Sequence, residues 1–111
     1  MTNAQPSTLS PRIARSLLKL GHDIEVARKK RRLTVAALSE RAGISAPLYS
    51  RLVKGEPGTS IGAYARVLFA LGIGTPFDSL LDAARDDTGL LLEETRLPKR
   101  VRHSRKDSGA L

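Results

Sequence analysis

The chain has 111 residues, a formal net charge of +8 and no cysteine, so it fits one small domain with tails and excludes disulfides and thiolate metal sites. The excess of lysine and arginine favours a polyanionic partner, because each cation that neutralises a phosphate releases a counterion; the alternative is a charge that only maintains solubility. No apolar run approaches the roughly 20 residues of a membrane span and residues 1–10 lack a signal-peptide pattern, so we expect a cytoplasmic protein without membrane association.

The first predicted elements are a disordered lead-in over residues 1–10 and a helix that follows it. Ser10 and Pro11 signal a helix start, because serine caps helix N-termini and proline suits the first helical position. An apolar stripe at spacings of three and four then indicates the helix: Ile13, Leu17, Leu20, Ile24 and Ala27. Gly21 interrupts this stripe and predicts a break between a short lead helix and the first domain helix.

Two short helices joined by a glycine turn are predicted between Thr34 and Lys54. Thr34 is the expected N-cap of the second helix, Gly43 its left-handed end, and Ser45 the N-cap of the third helix. Apolar residues are expected to pin the two helices together: Leu38, Ala42, Ile44, Tyr49 and Leu52. Such a helix-turn-helix can place its second helix in the major groove of DNA; the alternative is a helical hairpin in an all-α core.

Two more helices are predicted to complete a domain over residues 11–86. Ser60 is the expected cap of the fourth helix, with a buried stripe of Ile61, Tyr64, Ala65, Leu68 and Leu71. The short fifth helix is expected to use Phe77, Leu80, Leu81 and Ala84. The aromatic residues are expected in the core rather than stacked on bases: Tyr49, Tyr64, Phe69 and Phe77.

The remaining segment, residues 87–111, differs in composition. A short leucine-rich run over 89–95 is open between a strand, a helical turn and a partner-dependent segment. Like charges and a single proline then predict a flexible basic tail. Its residues Lys99, Arg100 and Arg102 are expected either to enter a neighbouring DNA groove or to order against a partner.

Residues 20–73 resemble the Cro/repressor-type (XRE) helix-turn-helix family. The matching residues are Leu20-Gly21, Ala27-Arg28, Leu33-Thr34, Leu38, Ala42-Gly43-Ile44-Ser45, Ser50-Arg51-Leu52, Leu68 and Leu71-Gly72. The resemblance implies an all-α, compact five-helix domain that works as a homodimer on a palindromic operator in double-stranded DNA. Residues 55–64 (GEPGTSIGAY) and 97–102 (LPKRVR) also resemble HipB-like antitoxins. That likeness implies repression of the protein's own operon and binding of a HipA-like kinase toxin.

The resemblance and the charge pattern together give the expected DNA-binding residues: Thr34, Ser45, Ala46, Pro47, Ser50, Arg51, Lys54, Arg28, Lys29 and Arg32. Arg51 is the best candidate for a base contact, because its guanidinium matches the O6/N7 edge of guanine; the alternatives are a solvated side chain and a phosphate contact. Ala46 and Pro47 occupy base-reading positions without bidentate donors, so we expect fewer direct base contacts. More weight then falls on Ser50, Arg51, phosphate contacts and DNA shape. Val53 stands where many family members carry an acidic residue.

Catalytic and metal-binding functions are not expected. No nucleophile–base arrangement is visible, which argues against an enzyme. His22 and His103 lack companion ligands, so we expect no metal site and no cofactor. Three functions remain open: an autorepressing antitoxin, a stand-alone XRE-family repressor, and a basic interaction module for RNA or protein that has no specific DNA site.

Overall fold

The computed structural model describes residues 8–82 and 98–100, and the secondary structure of these residues is helical. In chain order the elements are α1 (Pro11–Lys30), α2 (Val35–Ala42), α3 (Ala46–Val53), α4 (Ile61–Ala70) and a 3-10 turn (Pro76–Ser79). None of these helices is long and apolar enough to cross a membrane. The all-α prediction is confirmed for the described residues, which hold four helices rather than five.

Each α-helix begins directly after a hydroxyl-bearing residue. The side chains of Ser10, Thr34, Ser45 and Ser60 accept a hydrogen bond from the backbone N–H three residues later, over 3.0 to 3.2 Å. Each bond satisfies one of the orphan donors of a first helical turn. The four predicted N-caps are therefore confirmed.

The predicted break at Gly21 is wrong, because α1 is one continuous helix of 20 residues. Gly21 is buried, and a β-carbon there would lie 2.1 Å from the carbonyl oxygen of Val53. Glycine at this position therefore permits the close approach of α1 to the end of α3. Its sequence signal was that of a helix breaker, while its structural role is contact between two helices.

The buried core is built from all four helices: Ile24, Leu38, Ala42, Tyr49, Leu52, Ala63, Tyr64, Val67, Leu68 and Leu71. The predicted core positions of α2 and α3 are confirmed. The predicted stripe of α4 is partly wrong, because Ile61 is 68% exposed and Ala65 is exposed, while Ala63 and Val67 are buried instead. The prediction of a core position is also wrong for Phe69, which is 67% exposed.

Internal contacts divide the chain into two units, Met1–Phe77 and Asp78–Leu111, and α1 to α4 all lie in the first. At the predicted fifth helix the described residues form the 3-10 turn, with Phe77 packed on the core of the first unit. In the second unit, Leu80 and Leu81 are exposed. Residue 84 and the leucine-rich run lie outside the described residues.

Candidate nucleic-acid interface

A three-residue turn joins α2 to α3. Gly43 takes the left-handed conformation (φ 73°, ψ 33°), which ends α2 at low steric cost because glycine has no β-carbon. The N–H of Ile44 donates to the carbonyl of Ser39 over 3.0 Å, and the Ile44 side chain packs against the core. Ser45 then caps α3. Two short helices around such a glycine-containing turn form a helix-turn-helix.

The two sides of α3 differ in polarity and burial. Tyr49 and Leu52 face inward and are 2% and 0% exposed. The opposite side carries the predicted DNA-binding residues: Ser45, Ala46, Pro47, Arg51 and Lys54 are exposed, and Ser50 is half-buried. Thr34, the cap of α2, is also exposed. The structure thus brings the predicted α3 contacts together on one accessible face.

Two of the five basic side chains over residues 28–32 donate hydrogen bonds within the protein. Arg28 donates to the Glu25 carboxylate over 3.1 and 3.0 Å and to the carbonyl of Leu33 over 2.7 Å. Its side chain is only 12% exposed. Arg31 donates to the carbonyl of Leu71 over 2.8 Å and so ties the end of α1 to the end of α4. Arg31 is nevertheless exposed, as are the other three members of the run, Lys29, Lys30 and Arg32.

A family model described as a helix-turn-helix domain matches residues 19–84, which is more than half of the chain. The chain belongs to this helix-turn-helix family. No curated protein and no solved structure is similar enough to count as a match. A helix-turn-helix domain indicates DNA binding and a role in transcription regulation, and such domains are typically non-enzymatic.

Within this helix-turn-helix protein, Arg28 and Arg31 hold the ends of helices together as well as carrying charge. Contact of Arg28, Lys29 and Arg32 with DNA stays a prediction, although the Arg28 guanidinium already serves two internal partners. Sequence reasoning missed the structural role of Arg31. Of the predicted tail residues, Lys99 and Arg100 are exposed, and Arg102 lies outside the described residues.

Sequence reasoning also missed Glu25, which contacts the buried side of α3 through Tyr49. Its carboxylate accepts hydrogen bonds from the guanidinium of Arg28 and from the hydroxyl of Tyr49. The available signal was the spacing of Glu25 and Arg28, which puts both on one side of a helix. A second tyrosine, Tyr64, donates from α4 to the carbonyl of Leu52 over 3.3 Å. Two tyrosine hydroxyls therefore hold α3.

These contacts shift the pKa values of the groups involved. The Arg28 guanidinium lowers the pKa of the Glu25 carboxyl, and this effect exceeds the opposing effect of burial. Burial, followed by the hydrogen bond to the Glu25 carboxylate, raises the pKa of the Tyr49 phenol to about 12. At neutral pH the pair therefore consists of a carboxylate acceptor and a protonated hydroxyl donor.

Metal binding has no candidate site in the part of the chain that the structure describes. Among residues 8–82 and 98–100, no group of three or more histidine, cysteine, aspartate or glutamate side chains could hold an ion. The chemistry available at the α3 face is hydrogen bonding, positive charge and apolar contact. These are the interactions that recognise base edges and phosphates.

Proposed function

We propose that this protein is a sequence-specific transcription regulator that binds a palindromic operator in double-stranded DNA as a homodimer. The observation that carries the proposal is the accessible face of α3, which a buried inner face holds in a helix-turn-helix frame. In this arrangement α3 enters the major groove, and the start of α2 approaches the DNA backbone. The formal charge of +8 favours the association.

The proposed contacts divide into base readout and backbone positioning. Arg51 donates to the O6/N7 edge of guanine, and Ala46 or Pro47 touches a thymine methyl. Thr34, Ser45, Ser50 and Lys54 contact phosphates, with Lys29 and Arg32 extending the positive surface. Because α3 offers few bidentate donors, part of the specificity comes from DNA shape.

A narrower proposal makes the protein a HipB-like antitoxin that represses its own operon and binds a HipA-like kinase toxin. Its support is the resemblance of residues 55–64 and 97–102 to those antitoxins. The first of these segments forms the connection from α3 to α4 and the start of α4. Residues 97 and 101–102 of the second segment lie outside the described residues.

DNA binding is tested by fluorescence anisotropy with a duplex from upstream of the gene, a scrambled duplex of equal length, and a salt series. We expect at least about a thousandfold preference for the upstream duplex, as specific regulators show. Equal and steeply salt-dependent binding to both duplexes would contradict sequence-specific regulation. That result would favour the basic interaction module for RNA or protein.

The antitoxin proposal is tested by co-expressing the protein with the product of the adjacent gene. We expect a kinase-like product that co-purifies with the tagged protein in a stoichiometric complex. The protein is a stand-alone XRE-family repressor if it binds the upstream duplex specifically but the adjacent gene encodes no kinase-like product. The same conclusion holds if a kinase-like product exists and the protein does not bind that product. DNA specificity and toxin binding are thus decided by separate measurements.

A further inference from the structure

Glu25 lies at the centre of a hydrogen-bond network that joins three parts of the helix-turn-helix protein. From α3, the Tyr49 hydroxyl donates to its carboxylate. From α1 itself, the Arg28 guanidinium donates to both carboxylate oxygens. The same guanidinium donates to the carbonyl of Leu33, the residue directly before the α2 cap Thr34. One carboxylate therefore connects α3 with the start of α2.

Through this network the negatively charged Glu25 carboxylate binds α3, which has no acidic residue of its own. The sequence of α3, APLYSRLV, has no acidic residue, and its last residue is Val53. Tyr49 is the inward-facing α3 residue with a polar group, and it directly precedes Ser50 and Arg51 on the outer face. A change in the position of Tyr49 would therefore also move the groups proposed to contact DNA.

We propose that Glu25 and Tyr49 are positioning residues for DNA recognition, because their hydrogen bond fixes the orientation of α3 on α1. The inference rests on the proposed DNA-binding function. A recognition helix contacts base edges only when it lies at the correct depth and angle in the groove. Loss of the bond lowers the fraction of molecules with α3 in that orientation, and apparent affinity falls in proportion to that fraction.

The hydrogen bond is best removed with Tyr49→Phe, because the variant keeps the buried ring and deletes only the hydroxyl. The matched control is Ser60→Ala, which deletes a hydroxyl that accepts its hydrogen bond from the Ala63 N–H within α4. Both proteins are titrated with the upstream duplex and with its scrambled counterpart, well below their melting temperatures. Amide hydrogen exchange of α3 and α4 is measured on the same samples.

We expect Tyr49→Phe to weaken binding to the upstream duplex by about three- to tenfold and binding to the scrambled duplex much less. Amides of α3 should exchange faster, while those of α4 keep their wild-type rates. Ser60→Ala should keep the wild-type ratio of specific to scrambled affinity. Glu25→Gln retains an acceptor for the Tyr49 hydroxyl, so it should preserve more of that ratio than Glu25→Ala does.

A double-mutant cycle separates positioning from unrelated damage. If the two residues act through one bond, Tyr49→Phe should add little to the binding defect of Glu25→Ala. Additive defects, or a Tyr49→Phe protein whose affinity ratio matches Ser60→Ala, would overturn the inference while leaving DNA binding established. A wild-type protein that does not discriminate between the duplexes would overturn the proposed function, and with it this inference.

Discussion

Gly21 of α1 and Val53 of α3 meet backbone to backbone: a β-carbon on Gly21 would lie 2.1 Å from the Val53 carbonyl oxygen. Nearby, a β-carbon on Gly55 would lie 2.9 Å from the backbone nitrogen of Leu18. Both glycines therefore permit α1 to lie directly against the end of α3 and the loop that follows. The placement of the proposed recognition helix depends on this absence of side chains.

The substitution Gly21→Ala should destabilise the protein, because its β-carbon would meet backbone atoms that cannot move aside alone. We expect a loss of about 1–3 kcal/mol or more, as for other overpacked sites. The control is Gly62→Ala in α4, where the nearest atom is 3.9 Å away. That change should be neutral or stabilising by about 0.4–1 kcal/mol. Denaturant unfolding checks both; equal stabilities would contradict the close approach.

The exposure of Phe69 predicts that its removal has little effect on folding. Phe69→Ala should change stability by no more than about 0.5 kcal/mol, because its side chain already lies in solvent. The neighbouring Leu68→Ala should destabilise by about 2–5 kcal/mol, because Leu68 is 7% exposed within the core. Thermal unfolding of the two variants distinguishes the sides of α4. A large loss from Phe69→Ala would contradict its described exposure.

The sequence predicted most of the helix-turn-helix because its signals are local. Ser45 as a cap and Gly43 as a left-handed end are properties of a few neighbouring residues, and both were found in place. Gly21 was misread because a breaker and a close-packing glycine look alike without knowledge of Val53. The buried face of α4 was partly misassigned, because the small Ala63 is buried in the core and the large Phe69 is exposed. The size of an apolar residue does not reveal which side of a helix packs against the other helices.

The candidate site was less predictable than the fold. Positive charge marked the run over residues 28–32, but charge alone does not show that Arg31 binds the carbonyl of Leu71, 40 residues away in sequence. The role of Glu25 likewise depends on Tyr49, which lies on another helix. A partner that is distant in sequence therefore binds Arg31, and the sequence of the basic run gives no sign of it.

Removal of Arg51 should affect specificity, whereas removal of Lys54 should affect affinity for all DNA. Arg51→Ala is expected to weaken binding to the upstream duplex by about 1–3 kcal/mol and to relax discrimination at one base pair. Lys54→Ala should weaken all duplexes alike and lower the salt slope by about one. Both residues are exposed at the end of α3, so each is the other's control for folding. If Arg51→Ala weakened binding to scrambled DNA by the same amount, Arg51 would contact a phosphate rather than a base.

Acid should weaken the protein partly through Glu25. Its pKa is lowered in the folded protein by the Arg28 guanidinium, so the carboxylate stabilises the fold above its ordinary pKa of 4.5. This contribution is lost as pH falls through the lower folded-state pKa. The melting temperature of the wild type should therefore fall more steeply below about pH 4.5 than that of Glu25→Gln. Parallel curves for the two proteins would argue against the ion pair with Arg28.

Alkaline pH should destabilise the protein partly through Tyr49, which donates the hydrogen bond to Glu25. Burial and the hydrogen bond to Glu25 raise the pKa of Tyr49 to about 12, so folding favours the protonated phenol. Its contribution to stability is complete below the ordinary pKa of 10.0 and is lost as pH rises through about 12. The chain has two tyrosines, and burial also raises the pKa of Tyr64, so single substitutions are needed to separate them.

The Tyr64→Phe variant isolates Tyr49 as the single phenol, and its ultraviolet absorbance then reports ionisation directly. We expect phenolate to form well above pH 10.0 while the variant is folded, and near the ordinary value after denaturation. Glu25→Ala in this background should make ionisation easier, because the carboxylate that opposes the phenolate charge is gone. If Tyr49 of the folded Tyr64→Phe protein ionised near the ordinary pKa of 10.0, Tyr49 would be neither buried nor bound to Glu25.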